Sequence, residues 1–435
     1  MVKADGDFEV PVEEVALAET NIISGSGSEG LLTASSVVTG IFAIVCIANP
    51  KACFGSCPTF YASDGNNFIV QAEGFSSSIS PSLEEEDIDA LYRIKPENKI
   101  FEINLKNEAY ETHIIRKANL LAFHKGKDNR VFAAPEGKFL EVKNLTEASE
   151  IKADEGDISE KLCSFDGVER FSAADSFNLA EKEFIDISFN NISDARKGLV
   201  IASRQTLLTT YLFYQTLAYM GSSAGYFLAN LERNSDEMKK LLDNPRKEMG
   251  NIEVFIESEN GIWVKAGETG EHGPISTDIK IIPIETHNNN SNLKLRLRMT
   301  KGLWRLDYLA LADIVKEVEP IIIHPTGSFP EFTKGNQDVV KLLTNPDSVL
   351  ITLPGDSYFL NYELPDDYKN YELFMQSKGY YLEWMREEWL PEENPLKVYQ
   401  MFYNPKQFFK DLAPQYKLIE AGMEETFWRS KYVYP

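Results

Sequence analysis

The chain has 435 residues, 43% hydrophobic and 26% charged, which is length for roughly two to four domains built around apolar cores. Its 44 basic and 67 acidic side chains leave a net charge of −23. That excludes a phosphate-neutralising surface of the nucleic-acid-binding kind and disfavours docking on anionic lipid. Aromatic residues make up 11%, with 19 Tyr and 26 Phe, and these types lean the composition towards strands.

Residues 1–30 are acidic, with no basic lead before an apolar stretch, so no secretory leader is read there. The alternation Phe8-Glu9-Val10-Pro11-Val12 and its extension to Val15 predict a short strand pair, and residues 20–30, rich in Gly and Ser, a linker. The next unit, 31–50, contains the uncharged run Leu31 to Ala48, at the lower edge of the length that spans a bilayer as a helix. Two readings stand for it: a membrane-inserted segment, or an anchor buried against protein. The Thr-, Ser- and Gly-rich first half favours the second.

Cys53-Phe54-Gly55-Ser56-Cys57-Pro58-Thr59-Phe60-Tyr61 follows at once. The chain has only four cysteines, Cys46, Cys53, Cys57 and Cys163, far from a disulfide-dense scaffold. A turn at Gly55 could close a small structural disulfide between Cys53 and Cys57, with buried free thiols as the alternative. A metal or redox role is weaker. Three residues separate the sulfurs rather than two, and no second Cys/His pair stands at ligand spacing.

From this join a first β domain is expected over 51–164. A hairpin, Thr59–Tyr61 with Asn67–Gln71, turns at Asp64-Gly65, and strands follow at Lys99–Leu105 and His113–Phe123. A β-sandwich with a helical insert at 206–243 is expected over 165–320. The insert shows apolar residues at spacings of three and four from Leu207 to Met220, and Pro245 is read as its stop. A β-plus-helical C-terminal domain covers 321–435. Residues 184–204 and 358–378 share one pattern of strand, polar turn, strand and Ser followed by a basic residue, which suits two related sandwich halves.

The clearest alternation is Leu293, Leu295, Leu297 and Met299 against Lys294, Arg296 and Arg298, continued by Trp304, Leu306 and Tyr308 against Arg305 and Asp307. Period two puts the cations on one face. Lys294, Arg296, Arg298 and Arg305 are therefore candidate binding residues for an anion or acidic partner, set against a solvated face paired with neighbouring acids. Trp263, Trp304, Tyr380 and Tyr381 are candidates for an aromatic platform. Trp304 shares its face with Leu306, which points to the core, whereas one of Tyr380 and Tyr381 is expected at the surface. No phosphate loop, nucleophile elbow or zinc-protease motif is present, and no metal or cofactor site is read.

The cysteine motif, the Asp64-Gly65 turn and the strand Phe68-Ile69-Val70 resemble a family of large bacterial envelope or secreted proteins without an assigned activity. In that family an apolar stretch leads into a cysteine-proline-aromatic strand, an Asp-Gly turn and another strand. The likeness continues through Leu105–Thr112, Gly302–Tyr308 and Ser377–Tyr381. It runs over most of the chain, though only the cysteine motif is specific. It implies an envelope setting, periplasmic or outer-membrane associated, and brings no catalytic residues. The expectation is a mainly β protein of β-sandwich-like domains, with a helical insert and short C-terminal helices. Its expected role is non-enzymatic binding or assembly with a protein or glycan partner. A glycan- or peptide-acting hydrolase is the alternative, and a metal or redox role for the Cys pair a weaker one.

Overall fold

The computed structural model describes residues 18–19, 57–65, 67–270, 273–285, 292–332, 338–385 and 387–429. The expected strand pair at 8–15, the linker and the run 31–48 lie outside these residues. The first half of the chain supplies β1 (Ala18–Glu19), β2 (Thr59–Ser63), β3 (Phe68–Glu73), β4 (Glu85–Ala90), β5 (Ile100–Lys106), β6 (Glu111–His124) and β7 (Arg130–Ala134). It continues with β8 (Lys138–Glu147), β9 (Glu150–Ala153), β10 (Gly156–Asp157), α1 (Ser159–Leu162), β11 (Arg170–Phe171), β12 (Lys182–Phe189) and β13 (Lys197–Gln205). Helices α2 (Leu208–Met220), α3 (Ala224–Arg233) and α4 (Ser235–Met249) come next. Then follow β14 (Ile252–Glu257), β15 (Trp263–Thr269), β16 (Asp278–Ile284), β17 (Leu293–Thr300), β18 (Trp304–Glu317), β19 (Ile321–Ile323) and β20 (Gly327–Phe332). The chain closes with α5 (Val339–Thr344), β21 (Leu350–Thr352), β22 (Ser357–Glu363), β23 (Tyr371–Met385), α6 (Pro395–Tyr403), α7 (Pro405–Lys417) and α8 (Glu420–Arg429). The protein is mainly β: among the described residues 43% are strand and 26% helical.

Four sheets form. Sheet I runs β20-β22-β5-β2-β3. Sheet II is built on the long antiparallel pair β6–β23, with β4 and β1 along β23 and β19 and β21 along β6. Sheet III runs β11-β18-β13-β16-β7-β8, with β8 returning to pair with β18. Sheet IV runs β10-β9-β12-β17-β14-β15.

The side-chain period of two decides how the sheets stack. Leu120 and Ala122 of β6 enter one core with residues of sheet I, while Leu121 and Phe123 enter another with residues of sheet III. In β13, Val200 and Ala202 face that same middle core, and Leu199 and Ile201 face sheet IV. The order is therefore I, II, III, IV, with an apolar core in each gap. Strands of the two inner sheets are buried on both faces, which is why Leu120–Phe123 and Leu199–Ala202 read as unbroken apolar runs rather than alternations.

The connectivity repeats. In sheet IV the order β12-β17-β14-β15 matches β22-β5-β2-β3 of sheet I, and in sheet III β18-β13-β16 matches β6-β23-β4 of sheet II. Even the irregularities correspond. β6 carries an extra residue, Arg116, opposite Lys378 and Gly379, and β18 carries one, Asp307, opposite Ala202 and Ser203. The fold is thus a duplication: β2–β6 and β8–β13 form one copy, β14–β18 and β19–β23 the other. Each sandwich takes its first strands from one copy and its last from the other. As a result β2–β6 and β19–β23, far apart in sequence, share sheets I and II, while β7–β10, expected in the first domain 51–164, join sheets III and IV. The related patterns at 184–204 and 358–378 are β12–β13 and β22–β23, equivalent strand pairs that each step from an end sheet to an inner sheet.

The helical insert lies where expected but runs on to Met249. Pro245 sits inside α4 with its ring buried instead of ending it, and the helix stops at Gly250, whose φ of +68° suits glycine. α2 buries Leu208, Tyr211, Leu212, Tyr214, Leu217 and Met220 in the core beneath sheets III and IV, together with Phe402, Phe408, Phe409 and Tyr416 of α6 and α7. Each copy of the duplicated unit is thus followed by helices, and the two sets pack together. Among the described residues no helix is long and apolar enough to cross a membrane.

Candidate binding faces

Sheets I and IV are the end layers, so each turns one face outward. On sheet IV the inward residues Ile185, Ile187, Val254, Leu295 and Leu297 fix the register, and the residues between them must point out. The outward set is Phe184 and Asp186 on β12, Lys294, Arg296 and Arg298 on β17, Glu253, Phe255 and Glu257 on β14, and Trp263 and Lys265 on β15. Arg296 donates to both oxygens of Asp186 at 2.5 and 2.8 Å and lies 4.3 Å from the Trp263 ring centre and 5.5 Å from that of Phe184. Arg298 donates to Glu253 at 2.5 Å and lies 5.3 Å from the Phe255 ring. Lys294 pairs with Glu257 at 3.2 Å and Lys265 with Glu253 at 3.0 Å. The hydrogen bond from Arg298, with Lys265 adding to it, holds the Glu253 carboxyl below its ordinary range.

Of the residues singled out from sequence, Lys294, Arg296 and Arg298 lie together here and Arg305 does not. β18 belongs to sheet III, and Arg305 joins a network of two arginines and two glutamates under α8. It reaches Glu169 at 3.3 Å and Glu424 at 3.5 Å, while Arg204 donates to Glu169 at 2.5 Å and to Glu424 at 2.5 Å. The aromatic platform is not assembled either. Trp304 is in the core, and Tyr380 and Tyr381 are both buried, at 0% and 4% exposure. The expected exposure of one of them fails because sheet II is an inner layer, covered on both sides. Only Trp263 of that set reaches an outer face. Phe184 and Phe255 were legible as outward positions in strands whose neighbours, Ile185 and Val254, point in.

Sheet I presents a different surface. Phe329 of β20 stacks on Phe359 of β22 at 4.9 Å between ring centres, and Phe68 of β3 meets Phe359 edge-on at 5.6 Å. Phe329 and Phe68 are 45% and 42% exposed. Beside them Tyr61 donates to Glu108 at 2.7 Å, and Lys106 lies 5.0 Å from the Tyr61 ring.

Three of the polar groupings inside the described residues bring titrating side chains together away from these faces. At the seam of sheets I to III, Glu73, Asp87, Asp89 and Asp278 gather near Lys280, which pairs with Asp278 at 3.2 Å. The Glu73 carboxylate accepts from the Ile275 N–H at 2.8 Å and Ser276 N–H at 3.4 Å, and burial pushes its pKa up to about 7. At the far end of β6, His113 sits 3.0 Å from Glu111, and Tyr214 donates to Glu383 at 2.9 Å. Burial lowers His113 to about 3, so it is neutral in the fold. Third, Lys197 donates to Ser193 Oγ at 2.6 Å and pairs with Asp313. Burial alone would raise Asp313, but hydrogen bonds from Lys197, Asn144 and Ser193 hold it below the usual carboxylate range. Lys197 thus donates to both Ser193 and Asp313, an arrangement in which it is a donor to the hydroxyl and not its base.

Cys57 is a free thiol buried in the core between sheets I and II, so the expected Cys53–Cys57 bridge is not formed. Cys57 leads into β2 and its side chain packs inward. Burial, with Glu73 and Glu111 nearby, pushes its pKa well up and keeps it protonated. Cys53 and Cys46 lie outside the described residues, and Cys163 is an exposed free thiol. Among the described residues no group of three or more His, Cys, Asp or Glu side chains is arranged to hold a metal ion.

Comparison with family models, curated proteins and solved structures finds no match to this chain.

Proposed function

We propose that this is a non-catalytic binding protein of the bacterial envelope, and that it holds a neutral glycan on the outer face of sheet IV. The envelope setting rests on the sequence resemblance. The ligand class rests on one observation: Phe184, Phe255 and Trp263 stand on rigid strands among ion pairs that fix every neighbouring charge. Aromatic rings offer flat apolar area to the C–H faces of sugars. The fixed carboxylates and guanidinium groups offer acceptors and donors for hydroxyls, since the Asp186 pair takes only two of the five N–H groups of Arg296. An anionic ligand fits poorly, because Lys294, Arg296 and Arg298 are each matched by an acid and the whole chain carries −23.

The hydrolase alternative finds little support. Among the described residues Ser193 with Lys197 and Thr300 with Lys182 set a hydroxyl beside an amine, but Asp313 occupies the first lysine and the Glu248 and Met249 carbonyls the second. Affinity electrophoresis through gels containing soluble β-glucan, xylan or mannan tests the proposal. We expect retardation by at least one of them, reduced about tenfold or more by Trp263→Ala at an unchanged melting temperature. Free migration through all three gels would sink it.

A further inference from the structure

We infer that the outer face of sheet I is a second binding site for the same class of ligand, so that one molecule bridges two glycan strands. This rests on the reading of sheet IV given above and extends it through the duplication. β3 and β15 each carry one extra residue opposite their partner strand, at the step from Phe60 to Tyr61 in β2 and from Val254 to Phe255 in β14; on that common step Tyr61 matches Phe255 and Phe68 matches Trp263. Tyr61 and Phe68 point outward, because Phe60, Ala62 and Ala72 of the same two strands enter the inner core, and Phe359 points outward because the inward residues of β22 are Tyr358, Leu360 and Tyr362. Two rings of the sheet IV face therefore recur at matching places on sheet I. There Phe359 joins Phe329 at 4.9 Å and Phe68 at 5.6 Å in a continuous aromatic strip.

Exposed aromatic patches of this kind mark interaction surfaces. Hydroxyl-matching groups border the strip: the Tyr61–Glu108 pair and Lys106. The edge is a poorer docking point than the face. Pro330 lies in edge strand β20 and can donate no backbone hydrogen bond to an added strand. Sheets I and IV are the first and last of four layers, so two sheets and three cores lie between their outer faces. Two ligands held there cannot be neighbouring segments of one short chain. The geometry points to cross-linking.

The test uses the full chain and hexasaccharides of β-1,4-linked glucose, xylose and mannose as probes, titrated calorimetrically. Two hexasaccharides of at least one type should bind per chain. Trp263→Ala and Phe329→Ser should each leave one, and the double variant none. Phe68→Ser, on a different strand, should repeat the Phe329→Ser result, which guards against a folding defect in either. In turbidity assays the wild-type chain should cross-link the parent polysaccharide, and each single variant should bind it without cross-linking. One hexasaccharide per chain, lost on Trp263→Ala and untouched by Phe329→Ser and Phe68→Ser, would overturn the second site and leave the first standing. No binding of any probe would remove both.

Discussion

The two sandwiches are built from equivalent strands, yet they solve equivalent positions with different chemistry. Arg170, the first residue of β11, pairs with Leu306 across the ladder, and Leu350, the first residue of β21, pairs with Ile115 at the matching step beyond the bulge. Glu183 lies opposite Met299, one step beyond the Phe184–Arg298 pair, and Asp356 lies at the matching step, opposite Asn107 and one step beyond the Ser357–Lys106 pair. In one sandwich a buried arginine grips a buried glutamate through two hydrogen bonds of 3.0 and 2.8 Å, with Glu155 on its other side at 2.8 Å. In the other, Leu350 stands in an apolar core and the Asp356 carboxylate accepts from the Leu353 N–H at 2.8 Å. The outer faces diverge in the same way, a ladder of paired charges on sheet IV and an aromatic strip on sheet I. The shared property is the inward alternation that defines the layers. What occupies a position between the layers can be ionic or apolar as long as it is matched.

That comparison breaks most readily at Arg170. Arg170→Leu should cost about 3–5 kcal/mol in urea unfolding, because it strands Glu183 without its partner in a buried site. Arg170→Leu combined with Glu183→Leu, which leaves no unpaired charge between the layers, should recover most of the loss. Matched apolar residues can replace a buried ion pair at little cost. A double variant as unstable as the single one would show that the loss comes from packing and not from a stranded charge.

Glu73 offers the next largest effect. On the shared bulge Glu73, opposite Thr59, matches Glu268, opposite Glu253, so a buried carboxyl stands where the other copy has a solvent-exposed one paired with Lys265. Burial raises the Glu73 carboxyl from 4.5 to about 7, with the Ile275 and Ser276 N–H groups opposing and Asp87 adding to the rise. Between those two values the folded state keeps a proton that the unfolded chain has lost. Stability should therefore fall as pH rises through that window and level off above it, by about 3 kcal/mol at most from this group. Glu73→Gln retains an acceptor for the Ile275 N–H and does not titrate, so it should lose correspondingly less stability between pH 5 and pH 8. Equal losses in variant and wild type would remove Glu73 as the cause.

These cases show where sequence suffices. The strands, the helical insert and the likeness of 184–204 to 358–378 were legible because apolar periodicity records which face meets a core. The alternation of β17 placed Lys294, Arg296 and Arg298 on one outward face correctly. The exchange of strands between copies was not legible, since it depends on which distant strand pairs with β6 and β5. The same ignorance misplaced Tyr380 and Tyr381: alternation assigns sides to a strand but cannot tell that a second sheet covers each side. Arg305 failed for a related reason. Its strand leaves the sheet of Arg298 at the Thr300–Gly302 turn, and its partner Glu424 comes from α8, more than a hundred residues on.

The smallest expected effect falls on the charge ladder, where the contrast with Arg170 is sharpest. Lys294 and Glu257 pair at 3.2 Å with the lysine side chain 60% exposed, so solvent screens the pair and the lysine loses rotamer freedom to make it. Lys294→Ala should change stability by about 0.5 kcal/mol or less. Arg298→Ala, whose partner Glu253 is more enclosed, should cost about 1 kcal/mol at most. Raising the salt concentration should reduce both differences while leaving the Arg170→Leu loss almost unchanged. A loss above about 2 kcal/mol for Lys294→Ala would mean that the ladder holds sheet IV together. Its charges would then be structural, and recognition on that face would fall to Trp263, Phe184 and Phe255 alone.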